Sequence, residues 1–220
     1  MKNQTRTSAT TKMLTGVAAF SALAYGVSLV TNIKVGFLSF DAKDAVITIA
    51  SFIYGPLSAL AMSFVTAFLE FISFGSTGPY GALMDFVSTF SFTFTASLIY
   101  KYRRNLYGAL MALGAASAVY VAVMMVANLI ITPLYMGVER SVVEGKLLTA
   151  FLPFNLLKAG LNSALVLVLY KPLVTALRKA NLAPSKVQST GTGNKTGVWI
   201  LGLILLATCI LLLLVFQGKI

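Results

Sequence analysis

Asn155 and Lys158 stand three residues apart in Leu147 to Tyr170, a stretch otherwise rich in apolar side chains. On a helix that spacing places both side chains on one side. An ionisable side chain inside a membrane span costs about 2.5–3.5 kcal/mol to insert, so it usually faces a cavity or a partner. An ammonium beside a carboxamide offers several donors and one acceptor to a polar ligand. Asn128, in an earlier apolar stretch, adds another amide. Asp85 and Glu70 are carboxylates near the ends of two further stretches. All these groups fall toward one membrane face, which reads as a ligand pocket opening there. The competing explanation is snorkelling and interhelical hydrogen bonding. Lys158, Asn155 and Asn128 read better as pocket residues, and Glu70 as a side chain reaching the interface.

The segment Lys34 to Asp44, K-V-G-F-L-S-F-D-A-K-D, combines Phe37, Leu38 and Phe40 with the carboxylates of Asp41 and Asp44. A plain connection would be more polar. This one has the composition of a lid folded over a pocket.

Several chemistries are excluded. The chain has no His, which removes the commonest general base and every His-paired nucleophile. Its one cysteine, Cys209, cannot form an internal disulfide or build a metal site. Ser189 to Gly197 resembles a phosphate loop superficially, but Ser189 and Asn194 stand where that loop needs glycine. Its Ser, Thr and Gly content reads as a flexible linker. A membrane-embedded enzyme using Glu70 or Asp85 with Lys158 is the competing function class. It lacks a nucleophile–base pair.

The elements that position these residues follow from apolar runs. The 220 residues are 58% hydrophobic and 10% charged, with a mean hydropathy of +0.87. A soluble domain of this size cannot hide that much apolar surface. The runs are Met13 to Ile33, Ala45 to Tyr54, Pro56 to Phe74, Gly81 to Tyr100, Leu106 to Ile131, Leu147 to Tyr170 and Val198 to Phe216. At 1.5 Å per residue most match a hydrocarbon core of roughly 30 Å. Ala45 to Tyr54 is too short to span alone, and Gly55-Pro56 breaks it from its neighbour. The first run is too long for a signal peptide and is expected to be retained. Ala18, Ala22 and Gly26 place small residues four apart along it, a face suited to close helix approach. Phe86, Phe90, Phe92 and Phe94 in the fourth run read as packing.

The net charge of +11 needs no nucleic acid. With a cytoplasmic N-terminus, the inside carries Lys2, Arg6, Lys12, Lys101, Arg103, Arg104, Lys171, Arg178, Lys179, Lys186 and Lys195, and no acidic residue. The outside carries Lys34, Lys43, Arg140, Lys146 and Lys219, mixed with Asp41, Asp44, Glu139 and Glu144. This asymmetry follows the positive-inside rule and puts the C-terminus outside. Lys158 alone belongs to neither side.

Four segments together resemble the substrate-binding S-components of energy-coupling factor (ECF) vitamin transporters, riboflavin type. They are F-L-S-F-D-A-K-D at 37–44, G-P-Y-G-A-L-M-D-F at 78–86, N-L-I-I-T-P-L-Y at 128–135 and P-F-N-L-L-K at 153–158. The resemblance covers about residues 10 to 180. It implies an all-α integral membrane protein: a cytoplasmic tail (1–12), a six-helix substrate-binding bundle (13–180), a linker (181–197) and one extra transmembrane helix (198–216). It implies no catalysis, no resident cofactor and no metal. Riboflavin is the implied ligand, bound near the outer face by Asp41, Asn128, Asn155 and Lys158, with Phe40 and Asp85 beside them. The implied partners are a transmembrane T-component and a pair of cytoplasmic ATPases, with Ala18, Ala22 and Gly26 facing the T-component. The S-component then tips in the bilayer to release vitamin inside. Apolar walls would suit the flavin ring, and amides its carbonyl and N–H groups. The ribityl hydroxyls would meet Lys158 or Asp41. Another vitamin or FMN is the alternative ligand. The chain departs from the pattern at Asp85, where similar proteins more commonly carry Asn. A carboxylate there, if it lines the pocket, would disfavour FMN. The last helix lies beyond the usual unit, and removing residues 181–220 is expected to leave binding in place.

Overall fold

The structure, a computed structural model, describes residues 2–35, 38–74, 78–179 and 195–216. Of the linker expected over 181–197, residues 181–194 lie outside the described residues, and 195–197 belong to the last helix instead. The chain runs α1 (Lys2–Thr31), β1 (Ile33–Val35), β2 (Leu38–Phe40), α2 (Lys43–Tyr54), α3 (Pro56–Phe74) and α4 (Gly78–Tyr102). There follow α5 (Leu106–Met136), α6 (Arg140–Lys146), a π-helical turn (Leu147–Phe151), α7 (Leu152–Lys179) and α8 (Lys195–Phe216).

Five segments among the described residues are long and apolar enough to cross a bilayer: Thr10–Thr31, Pro56–Ser73, Gly78–Tyr102, Tyr107–Met136 and Arg140–Leu173. The protein is a multi-pass membrane protein. Such helices keep every backbone hydrogen bond inside the segment, as hydrocarbon requires. α2 is different. Every residue from Lys43 to Ile53 is buried, so α2 is the centre of the bundle, with α1, α3, α4 and α7 packed around it. A helix enclosed on all sides can be apolar all round, and Ile47, Ile49 and Phe52 supply much of the core. Gly55 ends α2 with φ +98°, a conformation that other residues resist, and Pro56 opens α3 where no N–H is needed. α4 lies between α3 and α5, while α5 packs on α7.

The expected helices are present; α3 keeps its expected bounds, and α1, α2, α4, α5, α7 and α8 each extend past theirs at one end or both. The two strands were not foreseen. They form a three-pair antiparallel hairpin, Ile33 opposite Phe40 and Val35 opposite Leu38. A backbone bond from Ala42 N–H to the Thr31 hydroxyl, 3.1 Å, ties the far side of the hairpin to the end of α1. α6 was also unforeseen, because Arg140 and Glu144 read as loop charges. They form an exposed i, i+4 ion pair of 3.1 Å.

Candidate binding site

α7 carries Asn155, Lys158 and Asn162 at i, i+3 and i+7, on one helical face. The π turn sets that face. The Leu152 N–H bonds to the Leu147 carbonyl, five residues back. One extra residue in a turn rotates all that follows by about 100° relative to α6. Pro153 follows Leu152 directly and offers no N–H to the carbonyls of the π turn before it.

β2 delivers the opposite wall. Phe40, almost fully buried, packs on Phe154 with ring centroids 4.4 Å apart. That contact holds the next residue, Asp41, against α7. The Lys158 ammonium lies 3.0 Å from Asp41 Oδ2, with the two side chains only 7% and 4% exposed. Burial alone would push the Asp41 carboxyl up, but the neighbouring Lys158 and Lys43 ammoniums outweigh it and hold it below the usual carboxylate range.

α2 begins two residues later, at Lys43, and brings two more charges inside. Lys43 Nζ is 2.6 Å from Glu70 Oε2 on α3 and 2.6 Å from both Asp85 oxygens on α4. Asp44 accepts from the Thr89 hydroxyl at 2.7 Å and from the Asn162 amide at 3.5 Å. The Tyr120 hydroxyl donates to Asn155 Oδ1 at 3.2 Å. Four carboxylates, Asp41, Asp44, Glu70 and Asp85, thus gather with two ammoniums, Lys43 and Lys158.

The cluster still has open valences. Asp41 Oδ1, Glu70 Oε1, Asn155 Nδ2 and Asn162 Oδ1 are buried without a hydrogen-bond partner. A buried polar atom left unpaired costs about 1–3 kcal/mol. Two of the four belong to residues that bond Lys158, namely Asp41 and Asn162, and a third, Asn155, shares its helical face; these three comprise two acceptors and one donor.

The structure brings together Phe40, Asp41, Asn155 and Lys158 as the sequence suggested. Asp85 joins the same end of the bundle through Lys43. Asn128 is buried but bonds locally: its amide donates to the Met124 carbonyl at 2.7 Å and its oxygen accepts from Thr132 at 3.1 Å. Two expectations are corrected. Lys43 is not an outer-loop charge; it is fully buried, because Glu70 and Asp85 neutralise it. Glu70 does not simply reach the interface; the same ion pair turns it inward. Ala18 and Ala22 lie exposed on the outside of α1, and nothing within 4 Å would meet a side chain at Gly26. Phe86, Phe90 and Phe94 form a row of ring contacts at 5.6 and 4.9 Å.

Sequence reasoning missed Lys43, Asp44, Thr89, Tyr120 and Asn162. Asn162 had a signal: it follows Lys158 by four residues on the same face. Lys43 had none, because its partners lie 27 and 42 residues away.

A family model described as the substrate-specific component of ECF transporters matches residues 12–170. The chain belongs to this family. Such a component selects cargo for a transporter and is not an enzyme. This S-component is 27% identical over 180 residues to the riboflavin transporter RibU of Staphylococcus aureus, covering 76% of the chain and 93% of that protein. It is 25% identical over 186 residues to the riboflavin transporter FmnP of Bacillus subtilis, covering 78% of the chain and 98% of that relative. A solved S component of a bacterial ECF transporter superposes with a TM-score of 0.66 at 25% identity, covering 77% of this chain and 99% of that one. The family match stops at residue 170, so α8 lies beyond it.

Proposed function

We propose that this S-component binds riboflavin at the charge cluster and hands it inward. The observation that carries the reading is the set of unpaired buried atoms around Lys158: Asp41 Oδ1, Asn155 Nδ2 and Asn162 Oδ1. A carbonyl of the flavin pyrimidine edge would accept from Asn155 Nδ2 and its N–H would donate to one of the two open acceptors, while a ribityl hydroxyl would donate to the other. The apolar ring system would lie beside Phe40, the aromatic residue that precedes Asp41. Both curated relatives are named as riboflavin transporters, which supports the same ligand.

The cluster sits at the bundle end that holds the hairpin and the start of α2. Lys101, Arg103, Arg104 and Lys171 sit at the other end. By the positive-inside rule the cluster end faces outward and the N-terminus lies in the cytoplasm. Antiparallel packing of α8 on α7 then returns the C-terminus to the outer side. Energy for release comes from partner ATPases through a T-component. The exposed Ala18–Ala22–Gly26 face of α1 is the surface offered to that component.

The test is purification in detergent followed by fluorescence titration. Bound flavin colours the protein yellow, and apo-protein quenches riboflavin emission. A folded apo-protein that does not quench at micromolar concentration overturns the ligand assignment.

A further inference from the structure

We propose that α8 is a positioning helix for the binding site, holding the Phe40–Phe154 wall against the Asp41–Lys158 pair and slowing ligand exchange. The exchange of ligand rests on the function proposed above; the positioning of the wall does not.

α8 runs antiparallel to α7 and meets it along most of its length. At one end the Trp199 indole N–H donates to the Val168 carbonyl at 3.2 Å. In the middle, Gly202 brings the α8 backbone against α7: a Cβ there would lie 3.2 Å from both Leu167 and Val168. At the site end the roles reverse. Gly160 of α7 leaves room for Cys209, whose sulfur would stand 3.2 Å from a Cβ on that glycine. One glycine from each helix therefore sets the separation, and a larger residue at either would push α8 outward.

Cys209 is buried in one apolar cluster with Phe40, Phe154 and Leu157, and Leu205 and Leu161 pack at its margin. Each buried α7 or β2 member of that cluster precedes a residue of the charge cluster: Phe40 precedes Asp41, Phe154 precedes Asn155, and Leu157 precedes Lys158. On a helix, neighbours point about 100° apart. One face of α7 thus presents Asn155, Lys158 and Asn162 to the site, and the adjacent face presents Phe154, Leu157 and Leu161 to α8. Phe40 is the common member: it shares that cluster with Cys209 and Leu205 of α8 and carries Asp41 in front.

Without α8 the rear of this wall would face acyl chains, which are fluid and make no fixed contact. Ile200, Ile204 and Leu211 on α8 are exposed and take over the lipid-facing role. Ligand exchange at Lys158 requires the β2 end of the hairpin to move away from α7. A fixed helix behind Phe40 opposes that motion, where lipid would not.

The test compares the full chain with a chain ending at residue 180, both in detergent. Two readouts are hydrogen exchange of the amides at 38–42 and stopped-flow dissociation of riboflavin. Expected is exchange at 38–42 faster by about tenfold or more in the shortened chain, with riboflavin still bound but leaving faster by a similar factor. In the full chain, Leu205→Ala combined with Cys209→Ala shifts both in the same direction by less, and Leu211→Ala, on the lipid side, shifts neither. Unchanged exchange at 38–42 in a folded shortened chain overturns the proposal. If the shortened chain does not fold, the double variant decides by the same readouts. If the full chain binds no riboflavin, the ligand assignment falls and hydrogen exchange alone decides the role of α8.

Discussion

Replacing Lys158 by Met separates what its ion pair does for the fold from what it does for the ligand. The pair with Asp41 is 3.0 Å long, and both side chains are more than nine-tenths buried. At an effective dielectric near 20 the Coulomb attraction is about 5.5 kcal/mol. Removing the ammonium leaves a buried carboxylate uncompensated, which costs about 3–5 kcal/mol of stability. Lys43 lies near enough to act on Asp41, which favours the lower end of that range. The double variant Asp41→Asn with Lys158→Met removes both charges at once, and its loss should be near 1 kcal/mol or less. Adding Asp41→Asn to Lys158→Met should therefore restore about 2–4 kcal/mol of stability, read from unfolding in detergent. Riboflavin binding follows a different pattern. A hydrogen bond to a charged group contributes about 1.5–3 kcal/mol, so each variant that lacks Lys158 should bind about 10- to 150-fold more weakly. The double variant regains stability and does not regain affinity. If stability and affinity recover together, Lys158 is only a structural ion-pair partner and the site has been misplaced. If Lys158→Met binds as the parent does, the same conclusion follows directly.

Asn155→Leu removes the unpaired Nδ2 and the acceptor of the Tyr120 hydroxyl; fluorescence titration should show binding weakened by about tenfold with insertion into membranes unchanged. FMN should bind at least about tenfold more weakly than riboflavin. With all four carboxylates ionised the cluster has a net charge of −2, and a phosphate dianion on the order of 10 Å away is then repelled by about 1.7 kcal/mol even at the dielectric constant of water. Asp85→Asn should narrow that gap by roughly fourfold, and equal affinities for both flavins in the parent would refute the electrostatic reasoning. The Asp41 carboxyl is held below its ordinary 3.8 in the folded chain. Its contribution is therefore fully present above about pH 4 and is lost as pH falls through the depressed value. Unfolding midpoints should be flat in this respect from about pH 5 to 8, and the Asp41→Asn variant should lack the parent's decline in acid.

The spans were legible because hydrocarbon imposes a length and an apolar composition that few other environments demand. α3 has the bounds the sequence suggests, since Gly55-Pro56 and the end of the apolar run mark both limits. The α7 half of the site was legible for the same reason: Asn155 and Lys158 stand out against an apolar background. The α2 half was hidden. Lys43 and Asp44 adjoin a loop, and charges beside a loop look solvated. Only the fold reveals that α2 is enclosed from its first residue and that Glu70 and Asp85 meet Lys43 there. The π turn was hidden too, because nothing in L-L-T-A-F distinguishes five residues per hydrogen-bonded turn from four. The seat of α8 depended on Gly160 and Gly202, whose meaning appears only when the two helices are paired.

The distribution of acid argues that the cluster exists for a ligand. The chain has six Asp and Glu residues, and four of them, Asp41, Asp44, Glu70 and Asp85, meet at one end of the bundle. Ion pairs of this kind rarely improve stability over apolar side chains of the same volume. In a membrane protein whose other helices are held by apolar packing, a purely structural role would be met better by Leu or Phe. The unpaired atoms sharpen the point. A cluster built only to hold helices together would close its valences internally, as Thr132 and Met124 do for Asn128. Asp41, Asn155 and Asn162 each pair one polar group and leave another open. The bonds that are made fix the orientation of these side chains, and the bonds that are missing define what a ligand must supply.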